Sequence, residues 1–249
     1  MREVGAGIAL WPNATRALGR LGVLDRVAAI SGTLTRVRIA APGGRTLFRV
    51  DPSRHATPAL CIERPALVPA LRSALPESTV HFGRSVASVE DTGTGIRARF
   101  SDGGEAGADL LVGADGLRSV VRAAVLGETP PVFCGQTVAR GIGPLLSPLA
   151  PGDAVEVWGD GLRVGIFDVG GGRAYWYLVE TRAEAAAGPV TPAEHAAWLD
   201  ALADWHAPLR DTLAATRPEC IARHAVFDRP PQRPWSRGRT VLVATRHTR

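Results

Sequence analysis

The sequence contains no lysine, so all 29 of its basic residues are arginine; with 24 acidic residues they give a formal net charge of +5. The arginines are scattered along the 249 residues and do not form the short basic runs that are typical of nucleic-acid-binding arms. A lysine-free chain rich in alanine, glycine and proline indicates a coding bias toward GC-rich codons. We therefore expect no nucleic-acid partner.

Cysteine is also scarce. Cys61, Cys134 and Cys220 are odd in number and show no C-x-x-C spacing, which argues against a disulfide framework or a metal site and fits a reducing cytoplasm. We expect all three to be small core residues. No apolar run reaches the ~18 residues that a transmembrane helix needs, and the first residues lack a signal-peptide pattern. The sequence predicts a cytoplasmic chain without a membrane span, of undetermined oligomeric state.

Apolar residues are present in the amount that a folded protein needs. They make up 45% of the chain, and the length allows one large domain or two smaller ones. Helices are predicted from Pro12, from Pro65 (with Leu67, Leu71 and Leu75 at four-residue spacing), and from a capping-box pattern at 191–194. Strands are predicted at 36–40, 45–50, 80–89, 96–100, 109–113, 154–158, 162–167, 173–179 and 239–243. The apolar run 109–113 shows no alternation, so we expect a strand covered on both faces.

The order of these elements indicates the fold class. Helices and buried strands flank an antiparallel meander, which predicts a mixed α/β domain interleaved with a second, β-rich domain. Within the meander, Tyr175, Trp176 and Tyr177 alternate along one strand, so part of this cluster should pack a core and part should face a ligand.

The segment that carries chemistry is 110–122, LLVGADGLRSVVR. An apolar strand runs into Gly-Ala-Asp-Gly and then into a helical pattern, and a turn of this kind presents backbone N–H groups and a helix dipole to an anion. Asp115 would accept a hydroxyl group of a sugar or polyol, and Arg122 would bridge to phosphate or to the strand. The alternative is a capped strand-to-helix turn that binds nothing.

This segment resembles the D-G-x-x-S-x-V-R motif of the FAD-dependent aromatic hydroxylases, the flavoprotein monooxygenases that include salicylate and p-hydroxybenzoate hydroxylase. The matching residues are Asp115, Gly116, Ser119, Val121 and Arg122. Similar segments occur at 2–8, 12–14, 63–67, 158–159, 175–177, 205–206 and 228–231, so the likeness covers nearly the whole chain. It implies an α/β fold in which an incomplete Rossmann-like FAD-binding domain is interleaved with a β-sheet-based α+β substrate domain.

The resemblance also implies a reaction and its reactants. NADH or NADPH would reduce bound FAD, dioxygen would add to give a flavin hydroperoxide, and one oxygen atom would pass to an aromatic or polyene small molecule. The implied FAD-binding residues are Gly5, Gly7, Arg64, Asp115, Gly116, Ser119 and Arg122. Arg140 and Tyr175 are candidates to face the substrate, with ordinary surface and core roles as the alternative. No catalytic residue is assigned, and His206 and His224, which lack metal-ligand spacing, are expected to be structural.

Two other motifs of this family are missing. Gly5-Ala6-Gly7 is not the G-x-G-x-x-G that follows a first strand, and residues 244–249 (ATRHTR) stand where the family has Gly-Asp-Ala-Ala-His-Pro. Deleting one G from an encoding of V-G-D-A-A-H-P-M produces V-A-T-R-H-T-R and a stop, so we interpret 244–249 as out-of-frame. We expect a chain cut at both ends that purifies without flavin.

The sequence leaves a second function class open, a non-catalytic remnant or small-molecule binding module. A flavin reductase or halogenase would need signature residues that are not found. The resemblance divides the chain into FAD-domain segments and substrate-domain segments. The FAD-domain segments are 1–32, 58–130 and 224–249, and the substrate-domain segments are 33–57 and 131–223.

Overall fold

The computed structural model describes residues 7–206 and 208–243 and divides by internal contacts into two compact units. Unit 1 comprises the described residues up to 76 together with 135–225, and unit 2 comprises 77–134 together with the described residues from 226. The finer division into five segments stays a prediction. Gly5 and the tail 244–249 lie outside the described residues.

The described residues form sixteen strands and six α-helices. The strands are β1 (Gly7–Leu10), β2 (Gly32–Leu34), β3 (Arg36–Ala40), β4 (Thr46–Val50), β5 (Ala59–Glu63), β6 (Val86–Asp91), β7 (Ile96–Phe100), β8 (Glu105–Ala108), β9 (Leu111–Gly113), β10 (Val132–Pro144), β11 (Asp153–Trp158), β12 (Leu162–Gly170), β13 (Arg173–Thr181), β14 (Ala222–Asp228), β15 (Ser236–Arg237) and β16 (Thr240–Leu242). The helices are α1 (Pro12–Arg20), α2 (Leu24–Ala28), α3 (Arg64–Arg72), α4 (Val120–Leu126), α5 (Pro192–Ala201) and α6 (Leu209–Ala214). Three short 3-10 helices lie at Pro52–Arg54, Glu77–Thr79 and Pro218–Cys220.

Unit 1 is built on a seven-stranded sheet with the order β14-β10-β13-β12-β11-β3-β4. Strands β10 to β13 pair antiparallel, and β11 pairs parallel with β3. Because side chains alternate across a strand, one face of this sheet carries Val155, Ile166 and Trp176. These residues form the largest core cluster together with Trp198 of α5 and Leu213 of α6. The helices therefore cover this face.

The opposite face of the same sheet is partly covered by a second, three-stranded sheet with the order β1-β5-β2. Cys61 of β5 packs with Phe167 and Tyr175 in the cluster between the two sheets. On its other side the small sheet contacts α1 to α3 through a cluster that includes Leu18 and Ile62. The rest of the large sheet's second face is left for the polar side chains described below.

Unit 2 contains two three-stranded sheets, β6-β7-β8 and β15-β16-β9. In the second of these, β9 runs parallel to β16. Helix α4 packs on this sheet through Val121 and Val125, which contact Leu242 in a small core cluster.

The structure corrects two expectations about burial. Strand β9 forms as predicted, but Leu110 and Val112 are 58% and 51% exposed, because among the described residues only β16 and α4 pack against this strand. Cys61 is buried as expected, whereas Cys134 and Cys220 are exposed. All three cysteines are free.

The structure also corrects the bounds of two elements. The strand predicted at 80–89 begins only at Val86. Helix α3 ends at Arg72, which leaves Leu75 of the predicted apolar stripe outside the helix and 47% exposed. No helix within 7–206 or 208–243 is long and apolar enough to cross a membrane.

Candidate functional site

The turn between β9 and α4 in unit 2 is held by its own side chains. Ser119 caps the helix by accepting the Arg122 backbone N–H at 2.8 Å, and its hydroxyl donates to the Asp115 carboxylate. The second carboxylate oxygen of Asp115 accepts the Val121 N–H at 3.2 Å. Gly116 has a φ of +78° and open space around it. The turn is thus preorganised, and the exposed Asp115 keeps acceptor capacity on both oxygens.

Arg122 lies inside unit 2 and is only 5% exposed. Its Nη1 donates to the Gly127 carbonyl at 3.4 Å, to Thr129 Oγ1 at 3.2 Å and to Gln232 Oε1 at 3.4 Å. Arg229 donates to the same Thr129 hydroxyl at 3.1 Å, and burial followed by the nearby Arg122 charge lowers the pKa of Arg229. These contacts give Arg122 the role of joining α4 to the 127–129 and 229–232 segments.

The face of the large sheet that the small sheet partly covers presents two further rows of side chains across its strands, in which Val138 and Val179 are buried. The first row follows the strand register and consists of Ile39, Glu156, Gly165, Tyr177 and Arg140. The second row lies one pair further along and consists of Trp158, Arg163, Val179 and Val138. We call these two rows the polar face.

Tyr177 crosses the middle of the polar face. Its ring lies over Gly165, where an added Cβ would overlap the ring, and its hydroxyl donates to Glu156 Oε2. Burial first, and then the Glu156 charge, raise the pKa of Tyr177. Glu156 Oε1 accepts the Trp158 indole N–H at 2.5 Å and pairs with Arg163 Nε at 3.4 Å. The absence of a side chain at position 165 is what lets the phenol reach across β12.

Tyr175 lies in the next row, beneath the small sheet. It is 8% exposed and packs against Gly7 and Phe167. Burial raises its pKa, while a hydrogen bond from Arg140 and the charges of Arg140 and Arg64 act in the opposite direction. Gly7 thus contacts the Tyr175 ring, and the Arg140 and Arg64 charges act on its hydroxyl group. Burial first, and then the Arg140 charge, lower the pKa of His224.

A cavity of about 230 Å³ borders the second row of the polar face. Trp158 and Arg163 line this cavity and also contact Glu156. Its lining consists of Gln136, Trp158, Gly159, Gly161, Leu162, Arg163, Val179 and Thr181.

The structure distributes the sequence-predicted site residues over the two units. Unit 1 brings together Gly7, Arg64, Arg140 and Tyr175. Unit 2 brings together Asp115, Gly116, Ser119 and Arg122. Sequence reasoning missed Glu156, Arg163 and Tyr177 as one group, because only the register of β11, β12 and β13 brings them together.

Comparison with known proteins assigns the chain to a family. A family model described as "FAD binding domain" matches residues 9–138, just over half of the sequence. The chain belongs to this family. The match includes the 115–122 motif and the Arg64 helix start, so the predicted family resemblance is confirmed.

Relatives in this FAD binding family include characterised monooxygenases. Aurachin C monooxygenase/isomerase of Stigmatella aurantiaca is 34% identical over 97% of this chain and 63% of its own length. The 3-amino-4-hydroxybenzoate 2-monooxygenase of Streptomyces cremeus is 34% identical over 96% of this chain and 62% of its own length. The chain thus spans less than two thirds of the relatives that it matches.

A solved structure supports the same fold. Klebsiella pneumoniae HpxO in complex with FAD and uric acid matches 98% of this chain and 64% of its own, with a TM-score of 0.85 and 27% identity. The predicted fold class, an α/β FAD-binding domain interleaved with a sheet-based domain, is confirmed at this level.

The residues of this chain fit FAD, the cofactor of the family. Arg64 is exposed in the first turn of α3 and has no carboxylate partner among the described residues, as suits a guanidinium that binds phosphate. Asp115 is exposed beside an open Gly116 and retains lone pairs for a hydroxyl group. Arg122, in contrast, bonds within unit 2 and does not need a ligand to be satisfied at Nη1.

Proposed function

We propose that the protein acts as an FAD-dependent monooxygenase, with NADH or NADPH as reductant, that hydroxylates an aromatic or polyene small molecule. The observation that carries the proposal is the polar face of unit 1, where Arg140 lies directly opposite Tyr177 and its charge acts on Tyr175 in the next row. Family membership and the monooxygenase names of the relatives support it. The cytoplasmic location expected from the sequence is kept as part of the proposal.

Bound FAD would supply the oxygen chemistry, and the chain's own residues would bind and orient the cofactor and the substrate. Asp115 would accept a hydroxyl group of the cofactor and Arg64 would neutralise phosphate charge. The Arg140 charge acts on the Tyr175 hydroxyl group and opposes the rise in its pKa that burial causes, so Arg140 would attract an anionic substrate oxygen to this end of the sheet. The half-buried Tyr177 packs against Phe167 and Tyr175 with ring centroids about 6 Å apart, and its ring would give an aromatic substrate an apolar surface to lie on.

The substrate would carry an acidic oxygen. Arg140 is half-buried and has no carboxylate partner among the described residues. A half-buried, unpaired guanidinium favours an anionic or strongly polar oxygen. The named ligands of the relatives, uric acid and 3-amino-4-hydroxybenzoate, have this property.

The test is oxygen transfer. The protein, supplied with FAD and NADH or NADPH, should oxidise the nicotinamide faster when an aromatic acceptor such as 3-amino-4-hydroxybenzoate is present, and the product should contain ¹⁸O after reaction under ¹⁸O₂. Arg140→Gln should raise the KM for the acceptor about tenfold or more, because it removes a charge-assisted hydrogen bond.

The result that would overturn this proposal is acceptor binding without oxidation of either nicotinamide and without ¹⁸O in the acceptor. That result would support the second candidate, a small-molecule binding module. The polar face and its adjoining cavity are the observations that favour this alternative.

A further inference from the structure

Glu156 is the only carboxylate of the polar face, and its oxygens are partly occupied. Oε1 receives the Trp158 indole N–H at 2.5 Å and the Arg163 ion pair at 3.4 Å, while Oε2 receives the Tyr177 hydroxyl. A carboxylate accepts about four hydrogen bonds. One acceptor position therefore remains on Oε2, and the side chain is 21% exposed, so a ligand can reach it.

Tyr177 places a second hydrogen-bond acceptor beside Glu156. Because its proton is donated to Glu156, its hydroxyl oxygen can only accept from a third group. The phenol cannot turn away easily, since its ring lies over Gly165 and contacts Phe167 with centroids 6.1 Å apart. Two acceptor atoms are thus fixed beside each other, over an aromatic floor.

Arg140 stands at the other end of the same row. The register aligns Arg140, Tyr177, Gly165 and Glu156 on four consecutive strands, which places the outer two Cα atoms roughly 14 Å apart at about 4.8 Å per strand. The Tyr177 ring lies over Gly165 between these two positions, so a substrate that meets both charged groups would lie on this ring. One end donates and is cationic, and the other end accepts and is anionic.

We infer that Glu156 is a specificity-determining residue that accepts an N–H or O–H of the substrate. The inference rests on the proposed function and narrows it to one substrate class, aromatic molecules with an acidic oxygen at one end and an amine or hydroxyl donor at the other. Trp158 and Arg163 hold the carboxylate in place.

The experiment compares two probes by calorimetric titration of the full chain. The probes are 3-amino-4-hydroxybenzoate and 4-hydroxybenzoate, which differ by one amine donor. We expect the wild-type chain to bind the amine probe about tenfold more tightly, as one charge-assisted hydrogen bond predicts. Glu156→Gln should reduce this preference below about threefold, because the amide loses the charge and presents an N–H₂ group toward donors. Glu156→Asp, which keeps the charge, should retain part of the preference for the amine probe.

Glu180→Gln is the matched control. This substitution also replaces a carboxylate by an amide. The Glu180 side chain is 20% exposed, pairs with Arg182 at 3.5 Å and lies on the opposite face of the same sheet. It should keep the wild-type preference. The inference is overturned if wild type shows no preference for the amine, if it binds neither probe, or if folded Glu156→Gln and Glu156→Asp both retain the full preference.

The two proposals fail separately, because the titration requires no turnover. A chain that transfers ¹⁸O but shows no amine preference loses only the assignment of Glu156. A chain with a Glu156-dependent preference and no oxygen transfer keeps that assignment and loses the monooxygenase function.

Discussion

Glycines at the residue scale decide where aromatic rings lie in unit 1. Gly141 lies under the Trp176 indole, where an added Cβ would be 2.7 Å from the ring, and Gly165 lies under Tyr177, where an added Cβ would be 2.4 Å from the ring. In both cases the strand has a glycine, which lacks a side chain, at the position where a large ring from the neighbouring strand lies flat across it. Trp176 packs in the helix-covered core and donates to Thr216 Oγ1 at 2.8 Å, whereas Tyr177 lies on the polar face.

Gly165→Ala tests this arrangement. The new methyl group would overlap the Tyr177 ring and push its hydroxyl away from Glu156, so we expect a loss of about 1–3 kcal/mol in the free energy of unfolding. Urea denaturation measures it. Gly107→Ala in β8 is the control, because its added Cβ would meet nothing nearer than 4.0 Å. Equal stability of the two variants would show that the polar face tolerates movement of Tyr177.

Single residues of the site were predictable from sequence where a motif or an alternation marked them. The 115–122 motif predicted the turn, and the alternation of 173–179 placed Tyr175 and Tyr177 opposite Trp176. Glu156 was not predictable, because its contact with Tyr177 depends on the register of three strands. That register is fixed by burial of the other face, which no local pattern expresses.

Helix α5 shows at the element scale how a local motif is combined with a distant contact. Thr191 accepts the Glu194 backbone N–H at 3.2 Å, and the Glu194 carboxylate accepts the Thr191 N–H at 2.9 Å, as the sequence predicted. The structure adds Arg223, 10% exposed in its side chain, which donates to Glu194. The cap therefore fastens α5 to β14.

Thr191→Ala should remove the cap and cost about 1 kcal/mol of unfolding free energy. Thermal or urea unfolding of the full chain measures this loss. Thr94→Ala, in an exposed turn between β6 and β7, is the control and should change stability by less than about 0.5 kcal/mol. A cost as small as that of the control would mean that Arg223 alone holds the start of α5.

The Glu194 carboxylate should make the free energy of unfolding depend on pH in the acidic range. The Thr191 N–H and then Arg223 lower its pKa from 4.5 to about 2. A carboxylate with a lowered pKa stabilises the fold at pH values above its pKa in the unfolded chain. The difference in unfolding free energy between wild type and Glu194→Gln should therefore be constant above pH 5 and shrink between about pH 4.5 and 2. Urea titrations at several pH values measure it. A difference between wild type and Glu194→Gln that stays flat from pH 7 to pH 2 would contradict the prediction.

Strand β10 was missed for a physical reason. Strand β10 contains three glycines and was not predicted, because glycine has low strand propensity. It forms through nine paired positions with β13, from Gln136 to Pro144, and Gly141 is required there beneath Trp176. Tertiary pairing therefore overrides local propensity at this strand, whereas β12 and β13, with strong alternation, were predicted within a few residues.

Burial is divided unequally between the two units at the scale of the whole molecule. Unit 1 buries both faces of β12, with Val164 and Ile166 at 0% exposure on one side and Phe167 at 8% on the other. In unit 2 all four residues of β8 are exposed, and the buried cluster around α4 has only three members among the described residues. Sequence composition gave no sign of this difference, since both units have alternating strands.

Amide hydrogen exchange should therefore distinguish the units. Opening free energy follows buried apolar packing, so we expect the amides of β12 and β13 to exchange at least about 100-fold more slowly than those of β7 and β8, a difference of ~2.7 kcal/mol. Mass spectrometry of peptides from one labelled sample measures both sets, and each strand pair serves as the reference for the other. Equal protection would mean that the chain opens as one cooperative body and that the sheets of unit 2 gain their stability from contacts other than the α4 cluster.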